Sequence, residues 1–269
     1  MIAVVDYQKG NLKSVERGLI AAGGEAFITA DASEIAKADA IVLPGVGAFA
    51  DAAATMCELG QREAIRDRVR AGVPFLGICL GEHLMFEHGV EGAPEGNPAC
   101  GLGLLPGTVV AMPRCDAQGK AFKVPHVGWN TIEMPSCNGG TAVPLCGEGG
   151  GNAVLSSGGA GGGAARSSAA KRGLFEHGAF PGSAPQAGSE LAFARPLFDG
   201  IAPGEYFYFT HSYIAPTGSY TIAETTHSVR FTSAVQYGDR AFGVQFHPEK
   251  SSDAGARVLA NFVAIAARG

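Results

Sequence analysis

Two hydrophobic periods take turns along the first third of the chain. Ile2-Ala3-Val4-Val5 is an unbroken apolar run, the pattern of a strand buried on both faces. Leu12, Val15 and Leu19 then recur at helical spacing until Gly23-Gly24 ends the element. Ala26-Phe27-Ile28 and Ala40-Ile41-Val42-Leu43 predict the next two strands. Ile65 and Val69 mark one face of a helix that stops near Gly72, before a further apolar run, Val73-Pro74-Phe75-Leu76. The alternation predicts an α/β fold with an open, mostly parallel sheet flanked by helices. In such a sheet the site lies beyond the carboxyl ends of the strands, where Pro44-Gly45 and Cys79 both fall.

The second half predicts added strands, at Leu104 to Met112, Phe122 to Val127, Tyr206 to Thr210, Tyr220 to Ala223, Ala234 to Tyr237 and Ala241 to Phe246. A closing helix, Val258 to Ala266, brings Val258, Phe262 and Ile265 to one side. Residues 136–194 break the pattern with glycine runs, serine, alanine and proline, and very few large apolar residues. A chain of that composition buries too little surface to offset its ordering entropy, so it predicts a disordered surface insertion into a single domain spanning 1–269. A tether for a partner is the functional alternative.

Composition narrows the function. With 269 residues, 46% of them hydrophobic, and a formal charge of -5, the chain can bury one sizeable core and is not built to hold polyanions, which argues against a nucleic-acid partner. The apolar start Met1 to Val5 meets Asp6 too soon for a signal peptide, and no run approaches the length that crosses a bilayer, so no membrane role and a cytoplasmic location are expected. Six cysteines occur without a Cys-x-x-Cys pair or a histidine cluster at metal spacing. Neither a metal site nor a disulfide framework is indicated, and no cofactor; cysteines other than the candidate nucleophile are expected as free thiols.

That nucleophile is Cys79, in Gly77-Ile78-Cys79-Leu80-Gly81, between the apolar run and a helix-like stretch, Leu84-Met85-Phe86. Small residues two before and two after permit a sharp strand-to-helix turn that lifts the side chain clear of the backbone. A helix N-terminus there favours thiolate over thiol. A cysteine without partners is usually a small buried hydrophobe, so the assignment needs a base. Gly243-Val244-Gln245-Phe246-His247-Pro248-Glu249 offers one, a strand that stops at a proline. His247 can take and return a proton, and Glu249, two residues on and facing the same side of an extended segment, can fix its tautomer and support its charge.

The elbow, the late His-Pro-Glu and the order Cys, His, Glu resemble the class I (triad) glutamine amidotransferases, enzymes that hydrolyse glutamine and pass the ammonia to a synthase. Five blocks, Asp6 to Val15, Pro44 to Phe49, Pro125 to Asn130, Tyr208 to Tyr213 and His247 to Ser251, resemble the branch that serves as glutaminase subunit of imidazole glycerol phosphate synthase, and they occur in that branch's order. The resemblance implies a flavodoxin-like sheet and a heterodimer with a (β/α)8-barrel cyclase subunit. It implies Cys79, His247 and Glu249 as triad. Oxyanion donors would be the amides of Leu80 and of Val46 within Gly45-Val46-Gly47, where glycine allows close backbone approach. It places Glu91 at the substrate ammonium and Ser212 and Tyr213 at its carboxylate end, and Asn11, Trp129, Tyr208 and Lys250 on the docking face. The chain departs from the family at the elbow helix, with Glu82 for methionine and His83 for glutamine; His83 either donates to substrate in glutamine's place or signals weakened activity. Three alternatives are another triad glutaminase, such as that of pyridoxal phosphate synthase, a weakly active binding subunit, and a cysteine peptidase on a related fold.

Overall fold

The structure, a computed structural model, describes residues 1–135 and 195–268. The insertion expected at 136–194 lies outside the described residues.

In chain order the elements are β1 (Ile2–Val5), α1 (Leu12–Ala21), β2 (Ala26–Thr29), α2 (Ala32–Ile35), β3 (Ala40–Gly45), α3 (Phe49–Glu58), α4 (Gln61–Arg70), β4 (Phe75–Cys79) and α5 (Leu80–His83). Short strands β5 (Phe86–Gly89), β6 (Ala99–Cys100), β7 (Leu105–Ala111) and β8 (His126–Thr131) follow. Then come β9 (Tyr206–His211), β10 (Tyr213–Ile214), β11 (Thr221–Thr226), β12 (Arg230–Tyr237), β13 (Ala241–Val244) and α6 (Ser252–Ala266). The main sheet has seven strands in the order β11-β12-β13-β4-β3-β1-β2. β13, β4, β3, β1 and β2 run parallel, and β11 and β12 extend the sheet antiparallel.

Side chains of successive strand residues point to opposite faces, so each buried strand feeds two cores. Val4, Val42, Leu76 and Ile78 face one, with Val15 and Leu19 of α1 and Val258 and Phe262 of α6. Ala3, Val5, Ile41, Leu43 and Phe75 face the other, with Phe49 and Met56 of α3 and Ile65 and Val69 of α4. This explains the unbroken apolar runs: no face of these strands meets water. A four-stranded sheet, β10-β7-β5-β6, and a two-stranded ribbon, β8-β9, stand beside the main sheet.

Several expectations change. The helix predicted through Leu84 to Phe86 is a single turn, and Phe86 opens β5. The Leu84 carbonyl accepts from the Leu102 N–H and the Met85 carbonyl from Leu104 and Leu105, so the acceptors that would continue the helix are already used. The strand predicted from Phe122 begins at His126, after Pro125, which has no N–H to give a ladder. Helix α3 is unmarked in the hydrophobic pattern because half of its buried face is alanine, Ala52 and Ala53 between Phe49 and Met56. Cys57 and Cys100 are free thiols as expected, and Cys79 is free too, but Cys115 is disulfide-bonded, against the expectation of a free thiol. Among the described residues no helix is long and apolar enough to cross a membrane, and no cluster of side chains has the makings of a metal site.

Candidate active site

Cys79 ends β4 with φ 54° and ψ -108°, a left-handed conformation that a non-glycine residue adopts only under constraint. The constraint comes from its flanking glycines. A Cβ on Gly77 would lie 2.5 Å from the Gly81 carbonyl oxygen and 2.8 Å from the Glu82 nitrogen. A Cβ on Gly81 would collide with the backbone carbonyl of Leu43 in β3. Two glycines thus let the chain fold back on itself against the neighbouring strand, and the elbow follows. Only one helical turn lies beyond it, so the helix-terminus support for a thiolate is that of four residues, Leu80–His83, and not of the longer helix expected.

Strand order supplies the partner. β13 pairs in parallel with β4, Val244 opposite Ile78, so the chain leaving β13 passes beside the nucleophile and brings His247 there. Pro248–Lys250 is a 3₁₀ turn and not the extended segment expected; Glu249 reaches His247 by that turn. His247 Nδ1 and Glu249 Oε1 are 2.9 Å apart, with side chains 3% and 2% exposed. Burial pushes the His247 pKa down, but Cys79 and then Glu249 together raise it, to about 9. Its Nε2 is buried with no partner at full hydrogen-bond geometry, yet the Cys79 thiol still raises the ring's pKa, first by its approach as a hydrogen-bonding partner and then by charge. Loose pairing of this kind is common before substrate tightens a site. Cys79 Sγ instead lies 3.9 Å from the Thr210 carbonyl and 3.8 Å from the Gln245 amide nitrogen.

Three further polar side chains are buried around this centre. His83, 3% exposed, places Nε2 2.7 Å from Gln245 Oε1. Burial lowers its pKa to about 4 against a smaller opposing effect of Gln245, so the ring is neutral at pH 7. Both Glu82 carboxyl oxygens are buried without a partner, and burial, then Cys79, holds that carboxyl well above the usual range. The Tyr7 hydroxyl is likewise buried and unpartnered, with its pKa raised by burial and by Cys79. Neither Gln245 nor Tyr7 stands out in the sequence reading, although a glutamine inside the apolar run Gly243 to Phe246 is the kind of buried polar residue that needs a reason.

The remaining candidates surround this centre. β3 and β4 pair with Gly45 directly opposite Cys79, which sets Val46 and Gly47 at the mouth of the site; Val46 is exposed, and Gly47 takes φ 101°. Gly45 is packed against the Tyr7 hydroxyl and Leu80, whose side chain is buried. Glu91, half-buried, takes the Ala50 N–H of α3 on its backbone carbonyl at 3.0 Å, and burial raises the pKa of its carboxyl. The carbonyl of Ser212 accepts from the Met112 N–H at 2.8 Å and that of Tyr213 from His211 Nδ1 at 2.8 Å. Asn11 caps α1 by its backbone carbonyl only. Trp129, the single tryptophan, is 50% exposed and meets Tyr208 edge-on across the β8-β9 ribbon. Lys250 Nζ stands 5.9 Å over the Tyr208 ring. This outer face is tied to the inner site, because the His247 N–H donates to the Tyr208 carbonyl at 2.9 Å.

Comparison with known proteins agrees with this geometry. The glutamine amidotransferase class-I family profile matches residues 3–266. The chain belongs to the class-I glutamine amidotransferase family. This amidotransferase is 36% identical to the imidazole glycerol phosphate synthase subunit HisH of Moorella thermoacetica, covering 97% of this chain and 93% of that protein. It is 35% identical to the subunit of the same name from Rhodopirellula baltica, covering 97% and 96%. Its fold matches a crystal structure of a glutamine amidotransferase at TM-score 0.58, with 16% identity over 99% of this chain and all of that one. PurLQS from Thermotoga maritima matches at 0.56, with 14% identity over 98% and 97%.

Proposed function

We propose that this amidotransferase hydrolyses glutamine and supplies the ammonia to a cyclase subunit, a (β/α)8 barrel with which it forms a heterodimer, for the formation of imidazole glycerol phosphate in histidine biosynthesis. Similarity to HisH subunits across 97% of the chain carries this reading. The site supports it. Cys79 attacks the glutamine carboxamide carbon, and the amides of Val46 and Leu80 receive the oxyanion. His247, protonated in its pair with Glu249, gives its proton to the departing ammonia and leaves a thioester on Cys79. A water then attacks the thioester with His247 as base, and glutamate leaves. Glu91, Ser212 and Tyr213 border the space the rest of the substrate needs. Trp129, Tyr208, Lys250 and Asn11 offer an exposed aromatic centre with polar anchors for the partner.

A weakly active binding subunit is the second reading, favoured by one observation: a buried, unpartnered Glu82 carboxyl that feels the charge of Cys79. Ammonia release from glutamine, measured for the chain alone and with a cognate cyclase, separates the two. Release that rises on adding the cyclase supports the glutaminase; no release in either mixture overturns it.

A further inference from the structure

His83 and Gln245 are not used by the hydrolysis just described, yet they are joined to each other and to the sulfur. His83 sits at the end of the single turn α5, and Gln245 directly follows β13, two residues before His247. The Gln245 backbone is pinned, its N–H donating to the Ser233 carbonyl at 3.0 Å, so its amide group pivots from a fixed point. One end of that amide, Oε1, is 2.7 Å from His83 Nε2, and the other, Nε2, is 3.8 Å from Cys79 Sγ. All three side chains are buried, at 3%, 0% and 7% exposure.

An amide oxygen only accepts, so a 2.7 Å contact with it requires a hydrogen on His83 Nε2. That choice orients the amide. With Oε1 held by His83, the NH₂ group points at sulfur, where its hydrogens favour a thiolate. Turned over, the amide would set a carbonyl oxygen against sulfur, favouring the protonated thiol and repelling the anion. We infer that His83 is a positioning residue that acts through Gln245, holding its amide in the orientation that stabilises the Cys79 thiolate. The titratable groups already facing Cys79 are Tyr7, Glu82 and His247, and none of them holds the Gln245 amide. The inference rests on Cys79 as nucleophile and deepens that reading, since it accounts for the histidine that replaces the family's glutamine.

The test is the rate of iodoacetamide alkylation of Cys79 in the full chain between pH 5 and 9. The modification is read by mass spectrometry of the Cys79 peptide, because Cys57 and Cys100 are exposed thiols. His83→Phe and Gln245→Leu should each slow alkylation at pH 7 by about fivefold, roughly the effect of losing one weak hydrogen bond to a charged group, and move the profile to higher pH. The double variant should be no slower than either single one, because both remove the same link. His83→Gln, which keeps an N–H donor, should stay within about twofold of wild type. Thermal melts check folding; if His83→Phe fails to fold, His83→Leu takes its place in the same assay with the same expected slowing. Unchanged profiles in the folded variants would overturn the inference, as would a Gln245→Leu effect that His83→Phe does not share. Alkylated wild type mixed with the cyclase is the control: if glutamine-dependent activity survived, the nucleophile assignment itself would fail.

Discussion

Glu249→Gln is the sharpest probe of the proposed triad, because it removes one charge and almost no volume. The pair it breaks is buried on both sides, 2.9 Å long, with side chains 3% and 2% exposed, so solvent screening does little to weaken it. His247 is raised from 6.5 to about 9 by Cys79 and Glu249 against burial. At about 1.4 kcal/mol per unit that is on the order of 3 kcal/mol favouring the imidazolium. If Glu249 supplies about half, its loss costs roughly tenfold in kcat/KM, and up to about 100-fold if the amide also disturbs the ring's tautomer. The stability effect has a definite sign. A histidine whose pKa is raised on folding contributes stability that is complete below 6.5 and lost as pH rises through about 9. The melting-temperature gap between wild type and Glu249→Gln should therefore be widest below pH 6.5 and close above pH 9. Glutamine hydrolysis by the complex from pH 6 to 10, with melts over the same range, reads both effects. A variant with wild-type kcat/KM and a pH-independent gap would refute the reasoning.

Other outcomes follow from the same structure. Gly81→Ala drives a Cβ into the Leu43 carbonyl and should cost about 3 kcal/mol or more, a fall of roughly 6–12 °C in melting temperature, with loss of glutamine hydrolysis. A fall under 2 °C, by the same scaling of roughly 2–4 °C per kcal/mol, would mean the elbow is not so tight. His83 and His126, both lowered to about 4 by burial, bind protons more readily unfolded, so stability should fall by about 2 kcal/mol for each between pH 7 and pH 5. Denaturant titrations at the two pH values check this, and equal stabilities would contradict it. Trp129→Ala should weaken cyclase binding by about 30-fold or more, as loss of a central aromatic anchor does, while leaving the melting temperature within about 2 °C because the ring is half exposed.

Much of the site was legible because its constraints are local. Glycines at 77 and 81 report a backbone that cannot carry a Cβ, and the structure shows what each would strike. The apolar runs of β1, β3 and β4 report burial on both faces, which implies helices above and below. What was hidden depends on distant partners. The helix after Cys79 stops early because residues 102–105 take its carbonyls, a bond no local pattern announces. Glu249 meets His247 through a 3₁₀ turn where alternation along a strand suggested a shared face. His83 carries no mark in the sequence of its contact with Gln245, 162 positions away. Trp129 belongs by residue type in a core, and only the β8-β9 ribbon, which leaves one face uncovered, explains its exposure.

The central claim is that Cys79 makes ammonia for a reaction completed by another subunit. Its most direct test is imidazole glycerol phosphate formation by the assembled complex, run once with glutamine and once with ammonium salt, for wild type and Cys79→Ala. The account expects Cys79→Ala to lose the glutamine-dependent reaction while keeping the ammonia-dependent one near the wild-type rate. Near-normal synthesis from glutamine by Cys79→Ala would contradict it.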